Sequence, residues 1–357
     1  MNLVFDNIVF DLQKSGGISI LWYELLRRVC CQERFDINYI DNKSEKNHWR
    51  RKLSIEEDNI IRNDWWPRFQ SYLPVSLNQR EQFVYHSSYY RYCTHPQAIN
   101  VTTVHDFTYE FFSKGFRRKL HSWQKFRAIR HSQYIVCISE NTKRDLMKML
   151  PDVNEERIRV IYNGVSDDYH VLPQKEESLP FPEGSYVVFV GGHTSYKNFE
   201  LCLKALPCSD YNLLVIGHNL DKKEQMLVER YLPQNRYKYM GYVSNEKLNV
   251  LYNHAAALVY PSSYEGFGIP VIEAQRAGCP VIALNSSSIP EVIGETPLLM
   301  KELSENELVS KLKLLKEPSL MKQVRDHGLV NSQRFSWDKM YHQYEALYDE
   351  ALSKKNM

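Results

Sequence analysis

The chain has 357 residues, two to three times an ordinary single domain, so two domains are the starting expectation. Hydrophobic residues make up 43% and charged residues 25%, which excludes a disordered or fibrous chain. No apolar run approaches the roughly 18–20 residues of a membrane span. The net charge of +2 is close to balance, which argues against a general nucleic-acid binder.

In chain order, the first predicted strand is Leu3–Phe10, and the turn Lys14-Ser15-Gly16-Gly17 follows it. Ile18, Leu21, Trp22, Leu25, Leu26 and Val29 then recur at helical spacing. Strand, glycine turn and helix open a βαβ layout. Residues 42–80 are polar and aromatic and give no clear period. Asn100–His105 reads as a buried strand running into Asp106. Tyr134–Ile138 is a second, with Ser139 as cap of the next helix, and Arg157–Tyr162 a third. Leu172–Gly184 has linker composition, with Pro173, Pro180, Pro182 and Gly184.

The pattern then restarts. Tyr186–Val190 is a continuous apolar strand, Gly191-Gly192 a turn and Asn198–Leu206 a helix. Strands follow at Asn212–Ile216, Lys238–Met240, Ala257–Tyr260 and Pro280–Ala283, with helices near 222–232, 245–253 and 270–277. Continuous rather than alternating apolar strands imply parallel sheets covered on both faces. The expected class is α/β, with two doubly wound, Rossmann-like domains facing each other across a cleft. The expected boundaries are 1–170 for the first domain, 171–184 for the linker and 185–336 for the second domain. A last helix in 337–357, with Met340, Tyr344, Leu347 and Tyr348 on one face, is expected to cross back to the first domain.

Seven cysteines, scattered from Cys30 to Cys279 without CxxC spacing, read as reduced thiols in a cytoplasmic protein. The first residues lack the basic region of a secretory leader. No Cys/His cluster suggests a metal site, and Asp167-Asp168 reads as a solvated pair in a polar stretch. Charge is concentrated in one place. No acid lies between Glu110 and Glu140, whereas Lys114, Arg117, Arg118, Lys119, Lys125, Arg127 and Arg130 are interleaved with Phe116, Leu120, Trp123 and Phe126. Cations beside a Trp/Phe/Leu side suit an interfacial helix on anionic lipid, with Arg117, Arg118, Lys119 and Trp123 as membrane or acceptor candidates. A surface helix with one buried face reads the same.

The most informative segment is Tyr260–Gly278, YPSSYEGFGIPVIEAQRAG. A strand ends, a loop carries Glu265, Gly266, Phe267 and Gly268, Pro270 opens a helix bearing Glu273, and Gly278 closes it. Free amides of a first helical turn attract anions, and carboxylates beside them can accept hydrogen bonds from sugar hydroxyls. A sugar nucleotide satisfies both features. A helix with a dipole-favourable glutamate is the structural alternative.

Glu265 and Glu273, in the context EGFGIPVIEA, resemble the E-x7-E signature of the retaining glycosyltransferases of family four, also called group one, which have the two-domain GT-B fold. The resemblance extends over most of the chain and is weakest in the centre of the first domain. It implies that Glu273 binds the nucleotide ribose and Glu265 the hydroxyls of the donor sugar. FVGGHTSYKNF, residues 189–199, resembles the family segment whose arginine and lysine grip the diphosphate. Lys197 matches the lysine, and His193 stands where the arginine is expected. A histidine offers one donor where guanidinium offers a fork. Gly16 and Gly17 resemble the family's glycine loop in the first domain, and His105 a histidine near the transferred sugar.

The resemblance implies a hexosyltransferase acting with retention. The donor would be a nucleotide diphospho-sugar, GDP- or UDP-linked, and the acceptor a glycan or lipid-linked glycan of bacterial surface polysaccharide. Catalysis would rest on Lys197, Glu265 and His105, without a metal or other cofactor. No nucleic-acid partner is expected, and peripheral contact with the cytoplasmic face of the inner membrane fits the basic segment. The rival readings are a GT-B sugar-nucleotide epimerase or hydrolase and a non-catalytic membrane-surface protein. A nicotinamide-dependent oxidoreductase would need G-x-G-x-x-G after a strand, and neither Gly16-Gly17 nor Gly191-Gly192 continues that way.

Overall fold

In the computed structural model, residues 2–42, 46–62, 70–173 and 178–353 are described. Residues 63–69 and the linker's 174–177, including Glu176 and Glu177, therefore fall outside the description. All strand pairings among the described residues are parallel. Parallel strands need crossover helices on both faces, and the apolar runs supply strands buried on both sides.

The chain divides into two units, 1–164 with 337–357, and 165–336. The first unit holds β1 (Asn2–Asp6), β2 (Asp36–Ile40), β3 (Ile60–Ile61), β4 (Phe83–Ser87), β5 (Ala98–Val104), β6 (Tyr134–Cys137) and β7 (Ile158–Val160). Their order in the sheet is β3-β2-β1-β4-β5-β6-β7. The second unit holds β8 (Tyr186–Gly191), β9 (Asn212–Gly217), β10 (Tyr237–Tyr239), β11 (Ala257–Tyr260), β12 (Val281–Leu284) and β13 (Leu299–Met300), in the order β10-β9-β8-β11-β12-β13. Each order reverses once, between β1 and β4 and between β8 and β11. At such a switch point the strand-end loops diverge and leave a crevice at the carboxyl edge of the sheet.

Three sequence expectations are corrected. The first strand ends at Asp6, four residues earlier than its apolar run, and Val9–Leu12 forms a helical turn. There Ser88 Oγ takes over the backbone, donating to the Asp6 carbonyl at 2.7 Å and accepting from the Val9 amide at 2.9 Å, beside the buried Asp6 carboxylate that pairs with Arg91 at 3.1 Å and accepts from the Tyr85 hydroxyl at 2.7 Å. The second unit begins at Val165, not after residue 170. Tyr169 is buried, the His170 and Leu172 amides donate to Asn249 and Asn253, and Asp167 pairs with Arg276, all within the second unit. The Asp167 side chain is solvated as expected, at 96% exposure, whereas Asp168 accepts from Asn245 at 2.8 Å.

The third correction concerns the basic stretch, which folds as helix Gly115–His131. Its charges do not form one continuous face. Lys125 is fully buried against Glu110 at 2.7 Å, Arg127 lies over the rings of Tyr92 and Trp123, and Arg130 pairs with Asp152. Arg117, Arg118 and Lys119 remain exposed.

The last helix, Trp337–Ser353, belongs to the first unit. The Tyr348 hydroxyl meets Nδ1 of buried His86 at 2.7 Å, and the Tyr344 hydroxyl meets Thr103 at 2.9 Å. Among the described residues, no helix is long and apolar enough to cross a membrane.

Candidate functional site

In the second unit the two strands flanking the switch point each end in a loop with an ionisable side chain. Lys197 follows β8 and Glu265 follows β11. Sequence separates them by 68 residues, yet Lys197 Nζ forms a short ion pair with Glu265 Oε1 and donates to the Tyr260 hydroxyl at 3.1 Å. Both charged side chains are largely buried, with 14% and 13% exposure. Burial works against a charged amine, but the oxygens of Tyr260 and Glu265 outweigh it and raise the Lys197 pKa above its ordinary value. Lys197 is therefore a fixed, partly desolvated cation at neutral pH.

The Glu265 loop is held from behind by three consecutive serines. Ser286 Oγ donates to the Ser263 carbonyl at 2.6 Å, Ser287 Oγ accepts from the Glu265 amide at 2.8 Å, and Ser288 Oγ donates to the carbonyls of Glu265 and Phe267. Gly268 has φ +102°, and a Cβ there would lie 2.8 Å from Ile289 Cδ1, so only glycine fits. Helix Ile269–Arg276 starts at this point with no side-chain cap, and Pro270 lies in its first turn. Gly278, at φ +69°, closes it.

Glu273 lies on that helix. Burial pushes its carboxyl up to about 7, despite the Tyr169 and Tyr252 hydroxyls that face it and favour the charged form. Burial, and next the Glu273 carboxylate, raise the Tyr252 hydroxyl well above its ordinary value. Glu273 is thus a hydrogen-bond acceptor whose charge is decided near neutrality.

Two residues expected at the donor have inward-packed rings. The His193 side chain is only 2% exposed; its ring packs on Phe189 and Phe199, and Nδ1 faces Glu224 at 3.2 Å. Burial lowers its pKa below the ordinary histidine value, although Glu224 opposes the shift. The imidazole is thus turned inward, between the two phenylalanine rings and Glu224. The Phe267 ring is buried edge-on against Phe335.

In the first unit, Gly16 and Gly17 follow β1 at the start of helix Gly17–Val29, which has no side-chain cap. A Cβ on Gly17 would meet nothing within 4 Å, so packing does not demand that glycine. His105 follows β5, at the same carboxyl edge, and is 7% exposed. Burial drags its pKa down to about 4, with Asp106 opposing and Lys125 adding to the effect. A neutral ring with that pKa suits a hydrogen bond rather than proton transfer. Below it, Lys125 Nζ donates to the Asp106 carbonyl at 2.8 Å and to Glu110. Burial raises the Glu110 carboxyl, but His121, 3.6 Å away, and the hydrogen bonds from Lys125 and Ser122 bring it down to about 2. A cavity of about 460 Å³, lined by Gln82, Ile99, Gln133, Tyr134 and Arg157 among others, opens at the opposite, amino-terminal edge of this sheet.

Sequence reasoning missed Tyr260, Tyr169, Tyr252 and the serine triplet's grip on the Glu265 loop. Tyr260 was legible as the last residue of a strand before the motif; the distant tyrosines carried no local signal.

Two doubly wound units with this strand order define a GT-B protein. The Anabaena protein HepE, solved with UDP and glucose, superposes with a TM-score of 0.72 at 15% identity, over 97% of this chain and 99% of that one. Sucrose-phosphate synthase from Thermosynechococcus elongatus does so with 0.75 at 17%, over 99% and 100%. At these identities the likeness is one of fold. Residues 172–328 match the family described as glycosyl transferases group 1, and residues 63–169 match glycosyltransferase family 4. The chain belongs to the group 1, family 4 glycosyltransferases. Among its relatives, the O-antigen chain mannosyltransferase B of Escherichia coli is 28% identical over 331 residues, covering 85% of this chain and 84% of that protein. The O-antigen chain mannosyltransferase RfbU of Salmonella typhimurium is 29% identical over 231 residues, covering 63% of each.

Proposed function

We propose that the protein transfers a hexose, with retention of anomeric configuration, from a nucleotide diphospho-sugar to a glycan or lipid-linked acceptor in bacterial surface polysaccharide assembly. The observation that carries this reading is the partly buried Lys197–Glu265 pair at the switch point, with Glu273 on the helix that follows. In the proposed reaction the bond from the anomeric carbon to the β-phosphate oxygen breaks. The acceptor oxygen bonds to that carbon on the same face, and its proton passes to the departing phosphate. Lys197 neutralises the charge growing on the diphosphate. Glu265, released from Lys197, accepts from sugar hydroxyls, and Glu273 accepts from the ribose. His105 offers a neutral hydrogen bond to the transferred sugar. The relatives' names make mannose the first sugar to test.

A panel of nucleotide sugars, read by thermal shift, tests the reading. A donor at a hundred times its Kd adds about 2.7 kcal/mol, several degrees for a unit of this size. A single stabilising nucleotide sugar that is then consumed only with acceptor is the expected result. Turnover without acceptor would point to an epimerase or hydrolase, and no stabilisation by any member would contradict the reading.

The acceptor side of the proposal includes an anionic membrane surface. Phe116 is 78% and Trp123 49% exposed on the helix that presents Arg117, Arg118 and Lys119. At about 1 kcal/mol per cation, replacing the three by glutamine should weaken sedimentation with anionic phospholipid vesicles about 10²-fold. Turnover on a soluble acceptor should be unchanged. Equal vesicle binding would remove the membrane from the proposal.

A further inference from the structure

Asn198 follows the cation of the site and is the N-cap of helix Phe199–Ala205, yet its side chain caps no amide of that helix. Capping is the usual use of an asparagine there, so the amide is committed elsewhere. Its Nδ2 donates to the Pro261 carbonyl at 2.7 Å, to Ser263 Oγ at 2.7 Å and to the Tyr196 carbonyl at 3.2 Å. The Ser263 amide returns a bond to the Tyr196 carbonyl at 2.7 Å. One side chain therefore ties the loop after β8, which carries Lys197, to the loop after β11, which carries Glu265. Ser263 is held in turn by Ser286 at its carbonyl.

The backbone supports the same reading. Among the described residues, only three non-glycines have φ in the left-handed region, and two of them belong to this site: Asn198 at φ 54° and Ser287 at φ 52°. Asparagine tolerates that region better than most residues. The αL turn at Asn198 breaks the preceding 3-10 turn, Ser195–Lys197, and starts the next helix at a new angle.

We infer that Asn198 is a positioning residue: it sets the Lys197 ammonium against the Glu265 loop by latching the two switch-point loops together. The inference rests on the proposed role of Lys197. When sugar hydroxyls draw Glu265 away, the latch and the Tyr260 hydroxyl are what keep the cation in place for the diphosphate.

A double-mutant cycle tests it on the full chain, with the nucleotide sugar that stabilises the protein and its acceptor. Asn198→Gly keeps the αL turn without strain and removes only the amide. It should lower kcat at least tenfold, with a smaller change in donor KM and little change in the unfolding midpoint. In a Lys197→Ala background it should cost less than a further threefold, because it acts through Lys197. Ser263→Ala, which removes one partner of the latch, should shift kcat in the same direction by less, and it serves if the glycine variant does not fold. Wild-type kcat in Asn198→Gly, or a full additional loss in the Lys197→Ala background, would overturn the inference. A slow Lys197→Ala beside a normal Asn198→Gly would leave the function standing and remove the latch. Wild-type turnover in Lys197→Ala would remove both.

Discussion

Lys197→Ala should reduce turnover by about 10²–10³-fold, the usual cost of deleting one preorganised group that stabilises developing transition-state charge. The expectation follows from burial and pairing. Lys197 is 14% exposed, its ammonium is fixed by Glu265 and Tyr260, and both partners hold it in the charged form. A cation that is already desolvated and oriented pays little reorganisation when a diphosphate departs. Donor affinity should fall less than kcat, since charge on the leaving group grows as the bond breaks. Removal also leaves the largely buried Glu265 without its cation, so the unfolding midpoint should drop by a few degrees. Steady-state kinetics together with a melting curve check both effects. A variant with wild-type kcat would exclude Lys197 from the chemistry.

Glu273→Ala should weaken donor binding by about 10²-fold, in line with the loss of charge-assisted hydrogen bonds to two hydroxyls. The same residue predicts a pH dependence. Its folded carboxyl titrates near 7 because it is buried, above its ordinary 4.5. Between these values the folded protein holds the proton and the unfolded chain does not. Stability attributable to this group therefore falls as pH rises from about 4.5 to 7. Glu273→Gln should remove that fall and raise the melting midpoint at pH 7.5, by at most about 3 kcal/mol of stability. Donor affinity in the wild type should run the other way and weaken as pH drops below 7, because the protonated acid loses acceptor strength. Calorimetric titrations at pH 6 and pH 8 separate the two trends. A pH-independent donor affinity, or a glutamine variant that binds as the wild type does, would refute the assigned role.

Much of the architecture was legible because parallel strands buried on both faces leave unbroken apolar runs. Tyr186–Val190, Asn212–Ile216 and Ala257–Tyr260 lie within a residue or two of β8, β9 and β11. The Ser139 cap was equally local, its Oγ accepting from the Thr142 amide at 3.0 Å. The boundaries that failed were set by distant partners. Nothing near Asp6 in the sequence announces Ser88, whose hydroxyl meets the backbone where the strand stops. Lys125 counted as one surface cation among seven until Glu110 and the Asp106 carbonyl claimed it.

The same division holds for the site. The E-x7-E spacing, Lys197, and the glycine and proline that shape the loop are carried by a few neighbouring residues. The inward turn of His193 depends on Glu224, Phe189 and Phe199, and the raised carboxyl of Glu273 on burial that Tyr169 and Tyr252 only partly offset. Residue type alone could not distinguish a histidine facing phosphate from one packed between phenylalanines.

The most direct test of the central claim is a structure of the full chain with its stabilising nucleotide sugar bound. The account predicts Lys197 Nζ on a diphosphate oxygen, Glu265 turned from Lys197 to the sugar hydroxyls, and the Glu273 carboxylate on the ribose. A nucleotide seated away from the carboxyl ends of β8 and β11, with the Lys197–Glu265 pair intact, would contradict it.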